Sequence, residues 1–200
     1  MKIGVIGGTF DPIHNGHLGI AEETRKQLAL TKVLFIPAGK PWLKANLPVS
    51  AVEHRLEMVR LAIADRPYCK LSTAEIDRPG PSYTVDTIAE LQSQLGAGIE
   101  LFFIVGWDSL VELPQWYEPS RLINQCYLVA VPRPGQSPPY LNSLETLIPG
   151  ISQRVTLLDK PRLDISATVI RQRVAQGKSI DHLVPGPVEK YIRQHGLYLM

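Results

Sequence analysis

The chain has 200 residues, 44% of them hydrophobic and 20% charged, with 21 Lys and Arg against 19 Asp and Glu for a net charge of +2. That composition excludes wholesale disorder, and so even a balance argues against a general nucleic-acid binder, though a local pocket can still be positive. Two distant cysteines outside any CxxC, no signal-peptide core and no apolar run near the ~20 residues of a membrane helix predict a cytoplasmic protein without membrane contact.

Short β-type runs alternate with amphipathic helical runs along the chain. Lys2–Ile6 reads as a first strand, and Gly16–Leu28 as a helix with apolar residues at Leu18, Ala21 and Leu28. Lys32–Ile36 is a second strand stopped by Pro37, and residues 37–49, with three prolines, are a loop. Ser50, with Glu53 three residues on, spells a capping box that opens a helix through Leu56, Val59 and Ile63. Lys70–Thr73 is a short strand and Asp77–Tyr83 a loop. Thr84–Leu95 is a helix closed by Gly96. Glu100–Val105 and Tyr127–Val131 are continuous apolar strands of the kind buried on both faces. Residues 133–141 are a loop, and Val155–Leu158 is a last strand. Ser166–Ala175 and Pro187–His195 are helices, the second with proline in its first turn and Gly196 past its end. This alternation predicts an α/β fold: a Rossmann-like, doubly wound parallel sheet with helices on both faces and helices at the C-terminal end. No linker divides it, so residues 1–200 are expected to form one domain.

In an open parallel sheet, ligands bind at the carboxyl ends of the strands. The first strand runs into Gly7-Gly8-Thr9-Phe10-Asp11-Pro12-Ile13-His14-Asn15-Gly16-His17, a glycine turn leading to a helix N-terminus. Backbone N–H groups and the helix dipole favour a phosphate there. The dinucleotide fingerprint fails, because its second and third glycines would fall on Ile6 and Thr9. The P-loop fails as well, because Gly39-Lys40 is followed by Pro41. His14 and His17, three apart, share one face of the first turn. They could be polar surface residues or metal ligands. However, no third ligand lies nearby and no Glu stands between them as in zinc hydrolases, so no metal is assigned. The preferred reading is that both donate hydrogen bonds to phosphoryl oxygens.

The segment from Gly7 to His17 resembles the HxGH signature of the nucleotidyltransferase superfamily, and further segments narrow the resemblance. Glu75-Ile76-Asp77-Arg78-Pro79-Gly80-Pro81-Ser82-Tyr83-Thr84-Val85-Asp86-Thr87 resembles an ExxRxGxSYTxDT element. Phe103 to Leu110 followed by Trp116 resembles a GxDxL strand-end motif, with Trp107 outside the pattern and read as packing. Ile165 to Arg171 resembles an ISSTxIR element, with Ala167 in place of its second Ser. Val184-Pro185 through Gly196-Leu197-Tyr198 resembles the usual ending. Together they span nearly the whole chain and are similar to the bacterial nicotinate-nucleotide adenylyltransferase family.

The resemblance implies adenylyl transfer from ATP to nicotinate mononucleotide, giving deamido-NAD and pyrophosphate in NAD biosynthesis, with Mg²⁺ accompanying ATP. It implies small-molecule substrates only, and a homo-oligomer is compatible with it. His14, His17 and Arg171 take the catalytic roles. Gly8, Thr9, Phe10, Ser166 and Thr168 join them around ATP. Lys44, Thr84, Asp108, Trp116 and Tyr117 hold the mononucleotide, with Trp116 stacking on the pyridine ring. The family usually carries a PxxxPPHK-like loop after the second strand. Here it is Pro37-Ala38-Gly39-Lys40-Pro41-Trp42-Leu43-Lys44, with Ala38 for an Asn, Trp42 for the second Pro and Leu43 for the His. That change bears on the choice between acid and amide mononucleotides. The alternatives are a nicotinamide mononucleotide or dual-specificity enzyme, or a non-catalytic nucleotide-binding module of the same fold.

Overall fold

A computed structural model of the chain describes residues 1–40, 48–132 and 134–199. Its centre is a sheet of six strands, β1 (Lys2–Gly8), β2 (Lys32–Pro37), β3 (Cys69–Leu71), β4 (Glu100–Gly106), β5 (Tyr127–Val131) and β6 (Val155–Leu157). Every neighbouring pair is parallel and the spatial order is β3-β2-β1-β4-β5-β6. The chain winds outward from β1 to β3, returns to the centre, and winds outward again from β4 to β6. The order therefore reverses between β1 and β4.

Side chains alternate between the faces of a strand, so each strand feeds two cores. Ile6, Phe35, Phe102, Ile104 and Val129 point into one. Helices α1 (Asn15–Leu28), α2 (Val52–Ile63), α8 (Ala167–Ala175) and α9 (Gly186–Gln194) cover it with Leu18, Met58, Ile170 and Val188. Val5, Leu34, Leu101, Phe103 and Leu128 point into the other. Helices α4 (Thr84–Leu95), α5 (Trp107–Val111), α6 (Pro119–Gln125) and α7 (Leu141–Leu147) cover that face with Ile88, Leu110, Leu122 and Leu144. Each such side chain stabilises the fold by about 1.5–3 kcal/mol on full burial. This is the doubly wound sheet that the alternation of runs predicts.

Three local readings need correction. The β1 strand runs on through Gly7 and Gly8, which pair with Ile36 and Pro37, so the glycine turn begins two residues later than expected. The capping box at Ser50 does not form: α2 starts at Val52, with Ala51 as an uncapped N-cap. Ser50 is committed elsewhere, its N–H donating to Asp11 Oδ2 at 3.0 Å and its carbonyl accepting Arg55 Nε at 3.0 Å. Finally, α3 (Ala74–Asp77), α5, α6 and α7 are too short, at four to seven residues, for a 3.6-residue period to stand out.

Both cysteines are buried and free. Burial pushes the Cys69 thiol up to about 11 and the Cys126 thiol up to about 12, so neither is a nucleophile at neutral pH. Among the described residues, no helix is long and apolar enough to cross a membrane.

Candidate active site

A cleft of about 290 Å³ opens at the carboxyl ends of β1 and β4, where the strand order reverses. Its floor is Gly7 and Gly8 from β1 and Val105 and Gly106 from β4. From one side come Thr9 and His17, and from the other Ser82, Thr84 and Trp116. The sheet topology thus joins two stretches of sequence some ninety residues apart into one site.

The phosphate-type end is built around α1. His14 is its N-cap in an extended conformation and His17 is its third residue. The two rings stack with centroids 3.7 Å apart and planes at 21°. The His14 backbone N–H donates to His17 Nδ1 at 3.3 Å. In the neutral ring, the proton then sits on Nε2, and that nitrogen of a cleft-lining residue is a donor. Phe10 meets the His17 ring edge-on at 5.0 Å. Phe10 itself is buried, with a left-handed φ of 49°. A bulky residue in that region costs on the order of 1–3 kcal/mol, and the burial of its ring offsets it. Gly16 is required by the same packing, because a Cβ there would lie 2.9 Å from His14 Nδ1. No acidic residue occupies the first turn of α1, so its positive dipole end is not neutralised.

The loop's carbonyls are engaged by donors from outside it. Gly8 O accepts the Ala38 N–H at 2.9 Å. Thr9 O accepts Arg55 Nη1 at 3.0 Å, and Asp11 O accepts Arg171 Nη1 at 2.7 Å. An anion arriving at the N–H groups therefore does not meet unsatisfied acceptors. Arg55 is a buried cation, and desolvation lowers its affinity for the proton; the same Nη1 also reaches Ala38 O at 2.8 Å. It ties the turn after β1 to the turn after β2.

Asp11, also buried, is a second tie. Its Oδ2 accepts the Ser50 N–H, and its Oδ1 accepts the Tyr198 hydroxyl at 2.6 Å. Burial first, and then this carboxylate, holds the Tyr198 phenol well above its ordinary range. Arg55, Asp11 and Tyr198 had no individual roles in the sequence reading. The signal available was weak: an arginine on the apolar face of a predicted helix.

The other predicted residues divide. Ser166 is the N-cap of α8, and Thr168 is exposed one turn before Arg171, accepting its Nη2 at 3.3 Å. These three approach the signature loop through Arg171 and Asp11, but they do not line the cleft. Thr84 is the first residue of α4 and Trp116 lies edge-on to Phe103 at 6.1 Å; both line it. Tyr117 stacks on Tyr83 at 4.3 Å, outside the lining, and Asp108 sits in the first turn of α5. Trp107 is core, as read, with its indole N–H on Ala130 O at 3.3 Å. Lys44 lies outside the described residues. The structure adds Ser109, Ser82 and a buried acid, Glu75, to the lining. Burial raises the Glu75 carboxyl above its usual range, against hydrogen bonds from Thr87 and Ser82.

A doubly wound sheet with a glycine loop, a stacked histidine pair at a helix N-terminus and a cleft at the switch point defines a nucleotidyltransferase-type α/β protein. Residues 5–173 match the cytidylyltransferase-like family. The chain is 48% identical over 198 residues to a probable nicotinate-nucleotide adenylyltransferase of Dehalococcoides mccartyi (strain CBDB1), covering 99% of this chain and 97% of the relative. It is 50% identical over 197 residues to one from Roseiflexus sp. (strain RS-1), covering 98% and 97%. Two structures of Plasmodium falciparum nicotinic acid mononucleotide adenylyltransferase, complexed with APC and with NaAD, have the same fold. Each has a TM-score of 0.78 at 18% identity and covers 98% of this chain, with 96% and 97% of theirs. The chain belongs to the nicotinate-nucleotide adenylyltransferase family.

Proposed function

We propose that this protein transfers the adenylyl group of ATP to nicotinate mononucleotide, forming deamido-NAD and pyrophosphate. The observation that carries the reading is the single cleft at the switch point. It has anion donors at one end, and an aromatic face with a helix N-terminus at the other.

The mononucleotide phosphate oxygen attacks the α-phosphorus of ATP. As that P–O bond forms, the bond from the α-phosphorus to the bridging oxygen breaks, and the electron pair leaves with pyrophosphate. No protein nucleophile takes part, so catalysis rests on alignment and on donors aimed at developing charge. His17 Nε2–H and His14 take the reacting phosphates, together with the N–H groups of Gly8, Thr9 and Phe10. Arg171 supports the leaving pyrophosphate with its planar fork, helped by Ser166 and Thr168 at the start of α8. Mg²⁺ enters with ATP, as part of that substrate. Trp116 supplies the face for the pyridine ring, and Thr84, with its hydroxyl and N–H at the start of α4, supplies donors to the carboxylate. Tyr117 N–H, Asp108 and Lys44 complete the mononucleotide set.

Pyrophosphate release from Mg-ATP, measured with a panel of phosphate acceptors, tests the reading. Nicotinate mononucleotide is the expected acceptor. Turnover with none of them would leave only a nucleotide-binding module.

A further inference from the structure

Beneath the mononucleotide end lies a polar network to which the reaction above assigns no part. Glu75, on α3, lines the cleft although it is only 8% exposed. Its Oε1 accepts the Thr87 hydroxyl of α4 at 2.9 Å, and the Ser82 hydroxyl, lining the same cleft, favours its ionised form. Ser82 Oγ in turn accepts the backbone N–H groups of Gly39 and Lys40, each at 3.1 Å. The Ser82 N–H returns a bond to Lys40 O at 3.0 Å. Gly39 packs so tightly on the Glu75 backbone carbonyl that no Cβ would fit. Arg78 does not take the carboxylate. Its Nη1 pairs with Glu90 at 3.1 Å and its Nη2 donates to Thr87 Oγ1 at 2.8 Å.

The proton count makes the acid necessary. Two backbone N–H groups occupy the lone pairs of Ser82 Oγ, so its own proton needs an acceptor, and the Glu75 carboxylate, which shares the cleft lining and whose ionised form that hydroxyl favours, is the group suited to take it. Without it, Ser82 would face two donors with its proton stranded in a nearly dry site. A stranded polar group of that kind shifts rather than stay unpaired.

We infer that Glu75 is a positioning residue for the mononucleotide: through Ser82 it fixes the Gly39–Lys40 backbone, and through Thr87 it fixes the first turns of α4, which begins at Thr84. This rests on the proposed reaction, in which Thr84 meets the pyridine substituent. The ATP end is held by a different set of ties, through Arg55, Asp11 and Arg171.

The experiment is steady-state kinetics on the full chain with nicotinate mononucleotide and Mg-ATP varied in turn. Glu75→Ala should raise KM for the mononucleotide by about tenfold or more while KM for ATP moves less than about twofold. Glu75→Gln should recover most of the loss. Its Oε1 can still accept from Ser82, and its amide can face Thr87, whose proton then turns to Tyr83 O, 3.1 Å away. Ser82→Ala, a smaller change, should show the same KM signature. Combining it with Glu75→Ala should add little, because both break one relay. Equal shifts in both KM values, a Glu75→Gln enzyme no better than Glu75→Ala, or additive single effects would each overturn the inference while leaving the reaction intact. A wild-type chain that releases no pyrophosphate with this acceptor would overturn the reaction, and the inference with it.

Discussion

Replacing Arg55 with methionine separates the loop geometry from the catalytic groups, since Arg55 does not line the cleft. Its guanidinium makes three bonds, to Ser50 O, Thr9 O and Ala38 O, at 3.0, 3.0 and 2.8 Å. Hydrogen bonds to a charged group contribute about 1.5–3 kcal/mol each, so the gross loss is about 5–9 kcal/mol. Methionine fills much of the volume, and the cost of keeping a cation dry disappears with the cation. Removing one member of a buried charged network typically leaves a net loss of about 3–5 kcal/mol. For a chain of this size each kcal/mol lowers Tm by about 2–4 °C, which predicts a fall of about 6–20 °C. The turns after β1 and β2 also lose their common tie. Displacing reacting groups by an ångström can cost about 10²-fold, so kcat/KM should fall by about 10–100-fold even well below Tm. Arg55→Lys should land between, because an ammonium keeps the charge but cannot span the three carbonyls. Calorimetry and turnover on the same preparations check both numbers. A Met variant within about 1 kcal/mol of wild type in urea unfolding would refute the account of Arg55 as the tie between the two loops.

Four further outcomes are expected. His17→Ala should lose about 10²–10³ in kcat with Tm nearly unchanged, and His14→Ala should also be strongly impaired; a folded variant with normal kcat would remove that residue from the phosphate site. Arg171→Lys should raise KM for ATP more than KM for the mononucleotide, since the fork is lost and the charge kept; an effect confined to the mononucleotide would move Arg171 to the other end of the site. Tyr198→Phe should cost about 1.5–3 kcal/mol in urea unfolding through the lost bond to the Asp11 carboxylate, and no change would show that the bond adds nothing to stability. Nicotinate mononucleotide should exceed nicotinamide mononucleotide in kcat/KM by at least about tenfold, equivalent to ~1.4 kcal/mol. Equal efficiencies, side by side at saturating Mg-ATP, would point to dual specificity.

Much of the protein is legible in the sequence because its signals are local. A strand buried on both faces needs a continuous apolar run, and Glu100–Val105 and Tyr127–Val131 supply one each. The Gly-rich turn into Asn15–Gly16–His17 carries its own meaning, since a phosphate loop needs small residues and a helix N-terminus within about a dozen positions. The parallel, doubly wound character of the sheet follows from strands alternating with helices, whereas the strand order and its reversal between β1 and β4 belong to the tertiary structure.

What only the tertiary structure decided involves groups far apart in sequence. Ser50 has the spacing of a capping residue, yet the buried Asp11 carboxylate and the Arg55 guanidinium take its N–H and carbonyl. Nothing near Tyr198 says that it will meet Asp11, 187 residues earlier, because that contact exists only once α9 has packed against α2 and the sheet. Glu75 reads as one acid in a motif, but the fold buries it at the edge of the cleft and sets the Thr87 hydroxyl against its carboxylate. Hydrophobic periodicity reports which face of an element turns inward. It carries no information about where a buried polar group will find its partner, because that partner is supplied by the folded chain rather than by the neighbouring sequence.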